Sequence, residues 1–286
     1  MPVFNEHDFT DSVLERFAQT PDARLKTIME SLVRHLHNFA RDVDLTFDEW
    51  AAAIKFLTRT GQICSSARQE FILLSDVLGF TMLVDAINHR MPGGATATTV
   101  LGPFYVEDPP KFPLGFDISR GVPGEKLFVS GTVSSADGAR LGNAEIDVWQ
   151  SDTEGFYDVQ RSDVSEPTLR GRFHADHEGR FHFWSILPSP YPIPYDGPVG
   201  DLLKATNRHP WRPAHLHFMI SASGHEKLVT HVFVRGSKYL DSDAVFGVKE
   251  SLIREYTCEE PGIAPDGTKV EDPWRKLNYD FGLKPL

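Results

Sequence analysis

The chain has 286 residues, 41% of them hydrophobic, and a formal net charge of −11 with a pI near 5.5. That size allows one large domain or two modest ones with a substantial core, and the acidic balance argues against nucleic acid or anionic membranes as partners, leaving a small molecule. Two cysteines, Cys64 and Cys258, stand far apart without CxxC spacing, so neither a disulfide framework nor a thiolate metal site is supported.

The first stretch, "MPVFNEHDFTDSVLERF", lacks the basic-then-apolar order of a leader, and no run approaches the ~18 apolar residues of a membrane span. A cytoplasmic protein without membrane insertion is expected. From residue 8 to about 90 apolar residues recur every three or four positions, as in Leu25, Ile28, Met29, Leu32, Val33 and Leu36, the period of amphipathic helices. Thr46 with Glu49 and Ser66 with Gln69 are capping-box patterns at two helix starts, the second ahead of "EFILLSDVLGFTMLVDAI", and Gly61 is the expected stop of the first.

The stretch "MPGGATATTVLGPFYVEDPPKFP" cannot sustain a helix and reads as a linker or covering loop. Beyond it the period is two. "KLFVSGTV", "AEIDVWQ", "RGRFHAD", "RFHFWSIL", "PAHLHFMISA" and "KLVTHVFVRG" are strand-like runs, punctuated by turns at Asp137-Gly138 and Glu178-Gly179. The expected fold is mainly β with a helical N-terminal part: an α-helical domain with linker over 1–100 and an antiparallel β-sandwich over 101–286.

Histidines 215 and 217 lie on such a strand, so both leave one face with Cα atoms about 6.6 Å apart, close enough for two imidazoles to share an ion. His35 and His37 show the same spacing on a helix, where positions i and i+2 diverge. A metal needs further ligands. Asp147, Asp152, Asp176 and Asp196 and histidines 174, 177 and 182 are candidates for a zinc or ferrous site, whereas the loop tyrosines 157, 191 and 195 would point to a highly charged ion such as ferric iron.

The ordered set "GPFY" (102–105), "DVWQSDTEGFYD" (147–158), "LRGRFHADHEGRFHFWSILPSPYPIP" (169–194) and "WRPAHLHF" (211–218) resembles the intradiol ring-cleavage dioxygenases, the catechol 1,2-dioxygenase family, over nearly the whole chain. The resemblance implies one non-haem Fe(III) per subunit, held by Tyr157, Tyr191, His215 and His217; Tyr195 does not match. It implies that a small aromatic diol or triol binds with loss of one tyrosinate ligand and reacts with O2, oxygen entering between the two hydroxylated carbons to give a muconate-type diacid. Arg212 would supply fixed positive charge beside the ring or the developing oxyanion, its alternative being an ion pair with a carboxylate such as Asp196.

By the same resemblance the substrate pocket includes Leu73, Asp76, Val100, Leu101, Gly102, Pro103, Phe104, Ile193, Pro194, Arg212 and Val245, with His231 where catechol members often carry glutamine. Asp76, on the inner face of an apolar helix, needs a partner that an extra ring hydroxyl could provide. "LDSDAVFGVKESL" and "PSPYPIPYDGPVG" most resemble the hydroxyquinol-cleaving branch of the family. A homodimer joined through the helical half, with a phospholipid in that interface, is a further expectation. Catechol or chlorocatechol cleavage, and a non-catalytic zinc-binding β-sandwich module, are the rival readings.

Overall fold

The computed structural model describes residues 5–6, 8–65, 68–90 and 93–286, in two compact units, Met1–Gln62 and Ile63–Leu286. The first unit holds α1 (Phe9–Glu15), α2 (Ala23–Asp42) and α3 (Phe47–Gln62). The Asp22 carboxylate accepts the Arg24 and Leu25 N–H groups at the start of α2. Thr46 and Glu49 form the expected reciprocal box ahead of α3: the Thr46 N–H donates to Glu49 Oε2 at 2.9 Å and the Glu49 N–H to Thr46 Oγ1 at 3.3 Å. Gly61 does not stop α3, which runs through it to Gln62. Along α2 the apolar positions Leu25, Ile28, Leu32, Leu36 and Phe39 are all exposed.

In the second unit the run expected as one helix divides at Gly79 into α4 (Glu70–Val77) and α5 (Phe80–Asn88). Gly79 has φ of +72°, a conformation that no helix interior contains and that glycine adopts without strain. The expected cap at Ser66 lies outside the described residues.

All six strands expected from the sequence form: β1 (Lys126–Ser135), β2 (Glu145–Trp149), β3 (Arg170–His174), β4 (Arg180–Ile186) and, after the short β5 (Tyr191–Pro192), α6 (Pro198–Ala205) and β6 (Trp211–Arg212), β7 (His215–Ser221) and β8 (Leu228–Val234). Shorter strands complete the chain: β9 (Ile253–Arg254), β10 (Thr257–Glu259), β11 (Gly262–Ile263), β12 (Lys269–Val270), β13 (Trp274–Asn278) and β14 (Phe281–Leu283). One five-stranded sheet is β3-β2-β7-β8-β9, and the other runs β10-β13-β1-β14 with β4 also paired to β1. The turns at 137–138 and 178–179 therefore carry the chain from one sheet to the other. The sheets are mixed rather than wholly antiparallel, because β13 and β14 join β1 in parallel and β9 joins β8 in parallel.

Leu127, Val129, Ile146, Val148, Phe181, Phe183, Leu216, Phe218 and Ile220 fill the core between the sheets. Alternation along β7 sends His215, His217 and Met219 to the opposite face. There His217 sits in register between Trp149 on β2 and His231 on β8. A second apolar cluster, with Leu73, Val77, Val100, Tyr157, Tyr191, Ile193 and Val245, covers this face. No helix among the described residues is long and apolar enough to cross a membrane.

Candidate metal centre

Tyr157 is delivered by a tight loop. Asp152 Oδ1 accepts the Glu154 and Phe156 N–H groups, and Gln160 Oε1 accepts that of Tyr157 at 2.9 Å. The phenol, fully buried, stacks on Phe104 with ring centres 4.5 Å apart and stands 2.8 Å from His217 Nε2. Tyr191 arrives on β5, whose ladder with β6 sets it directly opposite Arg212, and Arg212 Nη1 donates to its hydroxyl at 3.2 Å. The two tyrosine rings meet edge to face at 5.1 Å.

His215 Nδ1 lies 2.7 Å from the Pro213 carbonyl, which accepts its N–H and leaves the Nε2 lone pair facing inward. His215 Nε2 and His217 Nε2 are 3.1 Å apart. Two nitrogens each about 2.1 Å from a common ion and near a right angle stand about 3.0 Å apart, so the pair fits a first-row metal. Burial, reinforced by Arg212, pushes His215 down to about 3, and burial, then the adjoining imidazoles and Arg212, holds His217 and His231 well below the usual imidazole range. All three rings are therefore neutral, as ligands must be. Burial and then Tyr191 push the Tyr157 phenol well above its ordinary range, so without a cation it keeps its proton.

Among the described residues, His215, His217 and His231 bring ring nitrogens within 4.8 Å of one another, close enough to hold a metal ion. His231 is turned by other partners: its Nδ1 lies 3.1 Å from Thr99 Oγ1 and 3.4 Å from Arg212 Nη2. The carboxylates raised as ligands are engaged elsewhere. Asp147 is forked by Arg172, Asp152 takes Arg161, Asp176 caps the turn at 178–179, and Asp196 pairs with Arg68 and not with Arg212. His174 and His177 are exposed, and His182 lies on β4 in the other sheet. His35 is exposed, and His37 contacts Thr10. Tyr195 is also exposed.

Of the expected pocket residues, Leu73, Val100, Ile193 and Val245 belong to the covering cluster and Phe104 packs on it. Gly102 approaches His217 so closely that a Cβ there would stand 3.3 Å from its Cε1. Leu101 and Pro103 are exposed, and Pro194 is half-buried. Asp76 is buried with no partner for Oδ1 among the described residues, and that burial raises its carboxyl above the ordinary range.

Residues 102–285 match a family model described as dioxygenase, and residues 22–96 match the catechol dioxygenase N terminus. The chain belongs to the intradiol dioxygenase family. Over 285 residues it is 52% identical to 6-chlorohydroxyquinol 1,2-dioxygenase of Cupriavidus pinatubonensis, covering 100% of this chain and 99% of that one. It is 50% identical to hydroxyquinol 1,2-dioxygenase of Rhodococcus opacus, covering 98% and 94%. The crystal structure of hydroxyquinol 1,2-dioxygenase from Pseudomonas putida matches with TM-score 0.93 at 47% identity, covering 98% and 99%. Catechol 1,2-dioxygenase from Pseudomonas arvilla gives 0.83 at 31%, covering 99% and 94%. The chain is thus an intradiol dioxygenase, of a family that uses non-haem iron, and the buried histidine cluster suits such a metal.

Three further residues sit at the centre. Asp243 takes Arg212, Thr99 meets His231, and Trp149 stacks on His217 with ring centres 4.7 Å apart. Alternation along "AEIDVWQ" puts Trp149 on the face of His217, whereas Thr99 and Asp243 lie outside any strand run and carry no such signal.

Proposed function

We propose that the chain cleaves hydroxyquinol (1,2,4-trihydroxybenzene) between its adjacent hydroxylated carbons, both atoms of O2 entering a hydroxymuconate that tautomerises to maleylacetate. The carrying observation is the convergence of Tyr157 Oη and His215 Nε2 on His217 Nε2, at 2.8 and 3.1 Å, with Tyr191 in edge contact with Tyr157. Tyr157, Tyr191, His215 and His217 would hold one Fe(III), which when bound acts as Lewis acid and template, drawing electron density from the diolate so that its ring reacts with O2.

His215 and His217 offer neutral lone pairs. One of the two phenol oxygens takes up a proton as the diol arrives. Burial works against the charge of Arg212, but Asp243 together with the neighbouring Tyr191 and Tyr157 keeps it ionised, and it directs Nη1 at Tyr191. Leu73, Val100, Phe104, Ile193 and Val245 wall out water, with Leu101, Gly102, Pro103 and Pro194 at the pocket's edge. Asp76 Oδ1, buried without a partner among the described residues, suits the third ring hydroxyl as its donor, and this favours a triol over catechol or chlorocatechols. The names of the relatives at 50–52% identity support the same choice. The exposed apolar stripe of α2 supports a homodimer joined through a helical domain over 1–100, with a phospholipid as a further occupant of that interface.

A zinc site on His215, His217 and His231 is the second reading, favoured by their mutual proximity. Purified protein distinguishes them. Tyrosinate-bound ferric iron gives a red to burgundy colour with about one iron per chain, whereas colourless protein with stoichiometric zinc rejects the iron reading. Oxygen uptake then compares substrates: faster turnover on hydroxyquinol than on catechol is expected, and a preference for catechol rejects the role given to Asp76.

A further inference from the structure

We infer that Asp243 is the positioning residue for Arg212, turning the guanidinium so that Nη1 meets Tyr191; this rests on the ferric reading above. Both side chains are buried. Asp243 Oδ1 accepts Arg212 Nε at 3.0 Å and Oδ2 accepts Nη2 at 3.2 Å, a side-on fork that fixes the guanidinium plane. The carboxylate is itself held, accepting the Val245 N–H at 3.3 Å and the Gly247 N–H at 2.9 Å.

Gly247 completes the arrangement. A Cβ at that position would stand 2.8 Å from Arg212 Nη2 and 3.2 Å from Asp243 Oδ2, so any side chain there displaces the pair. The fork leaves Nη1, which reaches Tyr191 Oη at 3.2 Å and lies 3.5 Å from His215 Nε2, while Nη2 also lies 3.4 Å from His231 Nδ1. One carboxylate therefore orients the charge beside Tyr191 and folds the turn that carries Val245 of the pocket wall.

The test uses iron-loaded wild-type protein, Asp243→Asn, Gly247→Ala, Arg212→Ala and the double variant Arg212→Ala/Asp243→Asn, with hydroxyquinol as substrate. A donor on a phenolate lowers its electron-donating level, so losing that donor moves the tyrosinate-to-iron band to longer wavelength. Asp243→Asn and Gly247→Ala are both expected to show this shift and to lose kcat by about 100-fold with a smaller change in KM, the scale of a misplaced active-site group. The double variant should lose no more than Arg212→Ala alone, because Asp243 acts through Arg212. Gly247→Ala retains both charges, so it decides the matter even where the unpaired guanidinium of Asp243→Asn prevents folding. Wild-type protein without a visible band rejects the ferric reading. A band that keeps its wild-type position in Gly247→Ala or in folded Asp243→Asn, or losses that multiply in the double variant, overturns the positioning role.

Discussion

Burial separates the three loop tyrosines: Tyr157 and Tyr191 are 0% and 2% exposed, and Tyr195 is 48% exposed. Two buried phenols can share an ion away from water, whereas the ring of Tyr195 faces solvent. Tyr191→Phe is expected to weaken and shift the visible band of the iron-loaded protein, leaving the contribution of Tyr157, and Tyr195→Phe to leave it intact; absorption spectra of the two variants check this, and an unchanged band in Tyr191→Phe would remove Tyr191 from the ligand set. At this scale the histidine pair was legible because β alternation alone puts residues two apart on one face. The partner of Arg212 was not. Asp243 is 31 residues away in sequence and reaches it only through the folded turn, whereas Asp196, nearer in sequence, is captured by Arg68.

Helix α6 begins inside the proline-rich stretch and has Pro198 in its first turn. Its second residue, Val199, donates its N–H to Glu70 Oε1 at 3.1 Å, and Glu70 is fully buried and ion-paired with Arg68 at 2.8 Å. This carboxylate ties α4, which carries Leu73 and Asp76, to the segment following Tyr191. Glu70→Ala strands a buried N–H and should cost about 2–3 kcal/mol. Glu70→Gln, which keeps an acceptor, should cost less. Denaturant unfolding measures both, and equal stability of Glu70→Ala and wild type would reduce the contact to an incidental one. Long strands with alternating side chains were legible from sequence, but α6 and β10–β14 were not. Proline obscures the start of the helix even though it suits that position; β10, β11, β12 and β14, of two or three residues, are too short to establish a period, and "WRKLN" of β13 does not alternate in burial.

At the scale of the molecule, the exposed stripe from Leu25 to Phe39 on α2 is an apolar surface that water does not favour. On the proposed dimer, sedimentation equilibrium should give twice the chain mass, and Leu32→Glu with Leu36→Glu should shift the population to monomer; a wild-type monomer at micromolar concentration would reject the dimer. The two-sheet architecture followed from counting strands, but its parallel edges did not, since a parallel partner is added by chain returning from far away. Ser130 of β1 meets Asn278 of β13 at a separation of 148 residues. This long return sets an order of events during synthesis. Tyr157, Tyr191, His215 and His217 all leave the ribosome before β13 and β14, which flank β1 in the opposite sheet. Until those last strands dock, the core beneath β7 lacks part of its backing layer. The side chains proposed as ligands thus stand on a sheet whose packing layer is completed by Leu277, Phe281 and Leu283, from the last strands of the chain.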